Sequence, residues 1–227
     1  MPSELGEIEV RPAATVVVLR EGAALEVLLL KRASTLAFFG GAWVFPGGRV
    51  DPGDGDLGDP HALRDAARQA AVRELHEESG LQVEPSALVA FTRWLTPPGS
   101  ARRFDTFYFA VAAPDHAEVK LDPSEASDYS WLQPSAALAA RARGELELPP
   151  PTFVTLSLLD GSRDLAEALR ALHTAPSSFV PAPIQVPTGI VYLYEGDAGY
   201  ASQDPQQPGA RHRLSTLSEG WRYDRPT

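Results

Sequence analysis

This chain has no cysteine, and its 20 lysines and arginines are outnumbered by 30 aspartates and glutamates. Without cysteine there is neither a disulfide framework nor a thiolate metal centre. A formal net charge of −10 argues against a broad nucleic-acid footprint, because polyphosphate backbones are bound by surfaces rich in Lys and Arg. No apolar run reaches the roughly eighteen residues of a membrane span, and the opening MPSELGEIEV lacks the basic and apolar regions of a signal peptide. A soluble, cytoplasmic protein with no membrane partner is therefore expected. Also missing are a G-x-S-x-G elbow, a GxxxxGK[ST] loop and histidines at metal-ligand spacing, so nothing points to a serine hydrolase, a P-loop enzyme or zinc.

What is present is apolar material for one sizeable core, 44% of 227 residues. Ala13 to Leu19 and Leu25 to Lys31 are aliphatic runs around Glu21-Gly22 and read as a strand pair, with a short strand at Trp43 to Phe45. Asp59-Pro60 reads as an N-cap followed by proline at the first helical position, opening a helix from about His61 to Ser79 that stops at Gly80. Its apolar side, Leu63, Ala71, Val72 and Leu75, suits packing on a sheet. Ala87 to Leu95, Phe104 to Ala113 and Tyr129 to Leu132 read as strands, and Pro134 to Arg143 as a helix. Beyond Leu148 come two helical segments near Phe153–Leu159 and Asp164–Leu172, a proline-rich stretch from Pro176 to Pro187, and a strand at Gly189–Tyr194. A polar tail with Trp221 and Tyr223 as anchors closes the chain. The order of elements predicts an α/β protein with a core at residues 10–145 and an extension, 146–227, packed on it rather than independent of it.

The densest chemistry lies at the end of the long helix, in Arg73-Glu74-Leu75-His76-Glu77-Glu78-Ser79-Gly80-Leu81. At about 100° per residue, Glu74, Glu77 and Glu78 share a sector of roughly 100°. Like charges at this spacing weaken a helix by about 0.2–0.5 kcal/mol per pair. The helix macrodipole opposes negative charge at that end as well. A hard divalent cation with oxygen ligands offsets both effects, and Mg²⁺ takes one or two carboxylates together with waters and substrate phosphates.

Phe45-Pro46-Gly47-Gly48, a spacer and the run Arg73–Leu81 together resemble the Nudix box of hydrolases that cleave a nucleoside diphosphate linked to another group. The family pattern is G-x5-E-x7-R-E-U-x-E-E-x-G-U, and its second half is matched in full. The first half departs from it: sixteen positions separate Gly48 from Asp65 where the family places five, so Asp54 and Asp65 both claim the place of the first glutamate. Trp94-Leu95-Thr96-Pro97, Arg102-Arg103-Phe104-Asp105-Thr106 and Leu148-Pro149-Pro150-Pro151-Thr152 look like the subgroup containing peroxisomal acyl-coenzyme A diphosphatases and bacterial relatives. A long insertion after the Pro-Gly-Gly turn is usual in that subgroup.

The resemblance implies a Nudix-type α/β/α sandwich with a mixed sheet, and Mg²⁺, or Mn²⁺ in its place, as cofactor. Glu74 and Glu78 are the expected principal metal ligands, with Glu77 a further ligand and the Gly48 carbonyl a backbone one. Glu78, Glu77 and the loop acid Glu125 are the candidates for catalysis, with Asp128 the nearest competitor of Glu125. Arg73 is expected to support the site by bridging to Asp65 or Glu77, within a frame that includes Gly47 and Gly80. Arg32, Arg103 and Arg102 are candidates for substrate phosphate, held bidentately by a guanidinium. Phe38, Phe39 and Trp43 are candidates to stack on an adenine or line a pantetheine channel. The expected substrate is a small nucleotide conjugate, coenzyme A or its thioesters first. NADH, ADP-ribose or a dinucleoside polyphosphate is the alternative, and a nucleotide-sensing module that does not cleave is the other. A homodimer through the C-terminal strand and tail is open.

Overall fold

A computed structural model describes residues 9–35 and 39–225 of the chain. In order it contains β1 (Val10–Glu21), β2 (Leu25–Arg32), β3 (Trp43–Val44), β4 (Gly47–Arg49), α1 (Pro60–Ser79), β5 (Val89–Leu95), β6 (Arg103–Ala112), β7 (Ala126–Leu132), α2 (Pro134–Ala142), α3 (Pro150–Leu159), α4 (Leu165–His173), β8 (Ala182–Val186), β9 (Gly189–Leu193), β10 (Arg213–Leu217) and β11 (Gly220–Asp224). The expected mixed α/β architecture is therefore present. No described helix is long and apolar enough to cross a membrane.

β1 is the axis of a seven-stranded mixed sheet ordered β3-β2-β1-β6-β5, with β4 also paired to β1 and β7 to β2. β1 and β6 run parallel from Val10 opposite Arg103 to Leu19 opposite Ala112. β2 and β4 pair with β1 antiparallel. Because side chains alternate along a strand, β1 feeds two cores. Ala14, Val16 and Val18 meet Ala66, Ala67, Ala70, Ala71 and Leu75 of α1. Val17 and Leu19 belong to the core on the other face, with Phe153, Val154 and Leu156 of α3 and with Phe179, Tyr194 and Leu214 of the C-terminal part. Alanines on α1 let the helix lie close to the sheet and so bring its last turn down to β4.

The boundaries of α1 follow its caps. The Asp59 carboxylate accepts the His61 N–H at 2.9 Å, Pro60 occupies the first turn, and Gly80 takes the left-handed conformation at φ 71°. β4, read from sequence as part of a turn, is a strand instead. A Cβ on Gly47 would lie 2.3 Å from the Ala14 carbonyl oxygen, so glycine is what allows β4 to lie against β1.

Two readings of the C-terminal part are corrected. The proline-rich stretch carries strand pairing: Phe179 N–H donates to the Arg93 carbonyl at 2.7 Å and Leu95 N–H to that of Phe179 at 2.9 Å, extending the first sheet past β5. Farther on, β8 tolerates Pro183 because it is the edge of a second, antiparallel sheet ordered β11-β10-β9-β8. The segment read as a polar tail is a hairpin, β10 and β11. Its anchors are as expected: Trp221 meets Phe153 edge to face, with centroids 5.3 Å apart, and lies 3.8 Å from the Arg141 guanidinium.

A buried ion pair closes the loop between β9 and β10. Arg213 donates to both Asp197 oxygens at 2.7 and 2.6 Å, and the Gly199 and His212 N–H groups add a bond each at 2.9 Å. Burial by itself would raise the Asp197 carboxyl, but these donors outweigh it and hold it down at about 2.

Phe179 is fully buried and stacks on Trp94 with centroids 4.2 Å apart and planes 7° from parallel. Phe179→Ala should cost about 3–5 kcal/mol in urea unfolding, the scale of a large aromatic truncation in a core. A loss under about 1 kcal/mol would show that the C-terminal part is not integral to the core.

Candidate active site

The last two turns of α1 and the glycine pair of β4 meet on the Ala14–Thr15 stretch of β1, which pairs with Gly48 and Gly47. The Glu78 carboxylate accepts the Gly47 N–H at 2.9 Å and is 5% exposed. Glu74 lies over Gly48 so closely that a Cβ there would sit 2.3 Å from its Oε1. Gly48 thus makes the space that this carboxylate occupies.

Glu77 takes a different place. Relative to Glu74, Glu78 lies about 40° one way round the helix and Glu77 about 60° the other way, toward Arg73. Glu77 is accordingly 3.0 Å from Arg73 with its side chain 55% exposed, while that of Glu74 is 13% exposed. The expected single acidic face is split between a sheltered pair and an outer carboxylate tied to arginine.

Arg73 joins these parts. Its Nε and Nη2 donate to the two oxygens of Asp54 at 3.0 and 2.9 Å, its Nη1 to Glu74 and Glu77 at 2.9 and 3.0 Å, and its Nη2 also to the Arg49 carbonyl at 3.0 Å. Asp54 is therefore the aspartate that partners Arg73. Asp65 is exposed, and eight residues along the same helix put it about 12 Å away along the axis, so the supporting role expected of Asp65 falls to Asp54. The Asp51 N–H, donating to Asp54 at 2.8 Å, folds the loop that makes this reach.

Glu125 is exposed in the turn before β7, and its carbonyl accepts the Ala33 N–H at 2.8 Å, next to Arg32 at the end of β2. The charges of Glu125 and Arg32 both bear on Glu78, in opposite directions. Arg103 starts β6 opposite Val10, with Nε 3.4 Å from the Thr96 carbonyl, and Arg102 is exposed in the preceding turn. Four to five residues of strand separate that level from Ala14–Thr15, about 13–17 Å. Asp128 is exposed on β7 and accepts the N–H of Tyr129 at 2.8 Å. Trp43 is 8% exposed and part of the core, Phe39 is exposed, and Phe38 lies outside the described residues. Gly80 packs against Lys120 and ends the helix.

The electrostatics set the carboxylates apart. Burial, then the nearby charges of Glu74 and Glu125, push Glu78 up to about 8 against the Gly47 N–H and Arg32. Burial also raises Glu74, opposed by Arg73, while the Arg73 hydrogen bond lowers Asp54. Among the described residues no three acidic or histidine side chains close on one point. An all-protein cage is not what Mg²⁺ requires, however: two sheltered carboxylates with no nitrogen or sulfur donor suit a hard cation that completes its shell with water and phosphate. Two clefts, of about 450 and 430 Å³, open elsewhere, and neither is lined by Glu74, Glu78 or Glu125.

A family model described as NUDIX domain matches residues 9–150. A putative nudix hydrolase 7 of Caenorhabditis elegans is 28% identical over 220 residues, spanning 80% of this chain and 72% of its own length. The human acyl-coenzyme A diphosphatase NUDT19 is 31% identical over 149 residues, which cover 60% of this chain and only 39% of that protein. Among solved structures, a NUDIX hydrolase from Alicyclobacillus acidocaldarius superposes with a TM-score of 0.65 at 26% identity, covering 74% of this chain and 99% of its own.

Two outcomes follow from the charges. In the folded, metal-free chain Glu78 keeps its proton up to about pH 8, against 4.5 for the ordinary carboxyl, so the native state binds more protons between those values. Stability measured in EDTA should therefore fall as pH rises through that window, by up to about 1.4 kcal/mol per unit, and Glu78→Gln should flatten the slope. Asp54→Ala should cost about 1.5–3 kcal/mol, as loss of a hydrogen-bonded partner of a charge does. Asp65→Ala should stay within about 0.5 kcal/mol. Equal effects would remove Asp54 from the support of the site.

Proposed function

This chain belongs to the NUDIX family of hydrolases, and on that footing we propose that it is a Mg²⁺-dependent diphosphatase of nucleotide conjugates, with coenzyme A or acyl-coenzyme A as substrate. The observation that carries the reading is the pair Glu74 and Glu78 turned onto Gly47–Gly48, two sheltered carboxylates whose oxygens suit a hard cation. Support for the substrate comes from the human relative named an acyl-coenzyme A diphosphatase and from the Arg102–Thr106 and Leu148–Thr152 segments. We read residues 10–145 as the hydrolase core and 146–227 as an extension folded on it.

In this reading Glu74 and Glu78 would hold the metal, with the Gly48 carbonyl and Glu77 as further candidate ligands. The ion would lower the pKa of water and offset charge on phosphoryl oxygens. The remaining roles belong to the chain. Gly47 N–H and Arg32 favour the charged form of Glu78 against its burial, so that carboxylate sits near the balance at which a neighbouring cation deprotonates it. Arg73 orients Glu74 from behind, a support that keeps a ligand in register. Glu125, in the turn alongside Arg32, takes the proton of the attacking water, and Arg32 and Arg103 bind substrate phosphate.

The enzyme should release a phosphoadenosine product from coenzyme A only with Mg²⁺ or Mn²⁺ added. Glu78→Gln should lower kcat by about 10²-fold or more with an unchanged circular dichroism spectrum. A panel of coenzyme A, acyl-coenzyme A, NADH, ADP-ribose, dinucleoside polyphosphates and nucleoside triphosphates, compared by kcat/KM, should place the coenzyme A compounds first. Hydrolysis of none of them would leave the sensing module standing.

A further inference from the structure

One ring on β7 stands open beside the candidate site. β7 pairs with β2 antiparallel, with Trp131 opposite Leu28, Tyr129 opposite Leu30 and Ala126 opposite Arg32. Residues opposite each other on paired strands share a face of the sheet. Leu28, Leu30, Ala126 and Trp131 all belong to the core under α1. Tyr129 and Arg32 therefore lie on the face over which α1 carries Glu74 and Glu78, while alternation turns Asp128 and Ser130 to the other side.

Most of that face is covered. α1 lies over β1, β4 and β6, and Ala117, Val119 and Leu121 pack on the same core from the segment that precedes β7. Tyr129 escapes this cover and is 40% exposed. The ring of Trp131, its neighbour along the face, is occupied, with the Arg20 guanidinium 4.2 Å from its centroid. Among the described residues no ring or cation packs on Tyr129. Two residues of strand and one cross-strand step put its Cα about 8 Å from that of Arg32. The turn carrying Glu125 leads straight into Ala126, and the charges of Glu125 and Arg32 both reach Glu78.

We propose that Tyr129 is the platform on which the nucleobase of the substrate stacks. The inference rests on the diphosphatase reading and names the residue that reads the base. One sugar separates the diphosphate of a nucleotide from its base, so a base attached to a diphosphate held at Glu74 and Glu78 comes down close to that centre. α1 closes the face toward β1 and β6, which leaves the β2–β7 side for it. Set on a hydrogen-bonded strand, the ring is in place before a ligand arrives. In a protein of net charge −10, an uncharged ring attracts a base through its π surface without drawing on a cation.

The test is calorimetric titration of the full chain with ADP and, separately, with inorganic pyrophosphate, Mg²⁺ present throughout. Tyr129→Ala should weaken ADP about tenfold, the equivalent of about 1.4 kcal/mol. Pyrophosphate affinity should be unchanged, and Tyr129→Phe, which keeps the ring and removes the hydroxyl, should bind ADP as the unaltered chain does. Unchanged ADP affinity in Tyr129→Ala, a parallel loss of both ligands, a loss in Tyr129→Phe equal to that in Tyr129→Ala, or no ADP binding by the unaltered chain would each overturn the assignment. Because binding is read without turnover, a failure to hydrolyse any conjugate would count against the diphosphatase reading and leave this measurement intact.

Discussion

Arg73 is the contact on which the candidate site depends. A single guanidinium, with its donors in a fixed fork, joins Asp54 from the inserted loop to Glu74 and Glu77 on the helix and to the Arg49 carbonyl at the end of β4. Those acids would otherwise repel one another across a helix terminus whose dipole is unfavourable to them. By taking Asp54 and Glu77 to its own side, Arg73 leaves Glu74 and Glu78 turned toward the glycines. Lysine could not replace it, since a point charge lacks the planar geometry that bridges three carboxylates.

The sheet supplies the other half of the arrangement. β1 pairs with β2, β4 and β6 at once, so the register of one strand fixes where Gly47, Arg32 and Arg103 stand relative to one another. Gly47 carries much of that burden, because its lack of a side chain lets β4 lie on Ala14 while its N–H meets Glu78. The C-terminal part contributes from the opposite face: residues around Phe179 extend the β5 edge, which would otherwise present unpaired backbone groups. Aromatic stacking of Phe179 on Trp94 then joins the second sheet to the first core.

Much of this was legible from residue order. The caps Asp59 and Gly80, the strand pair around Glu21-Gly22, and the acidic helix end stand close to where local spacing put them, because capping, turn chemistry and helical periodicity act over a few residues. β4 was read as a turn, since Gly-Gly is a turn signal whenever the strand it lies on is not yet known. The proline-rich stretch and the tail were harder: proline suits a strand only at an edge, and an edge is a property of the finished sheet. Phe39 and Trp43 were both candidates as aromatic residues near a strand, and burial places only Trp43 in the core.

Taken alone, the order of residues determined the class of fold, the helix carrying Glu74, Glu77 and Glu78, and the glycine pair that precedes it, all set by neighbours a few positions apart. Tertiary structure decided which aspartate holds Arg73, that Glu77 turns outward while Glu78 is buried and raised to about 8, and that Glu125 and Arg32 act on the same carboxylate. The reason is that these outcomes depend on loop closure and on strand register across tens of residues, where burial and charge are set by groups that local pattern does not bring together.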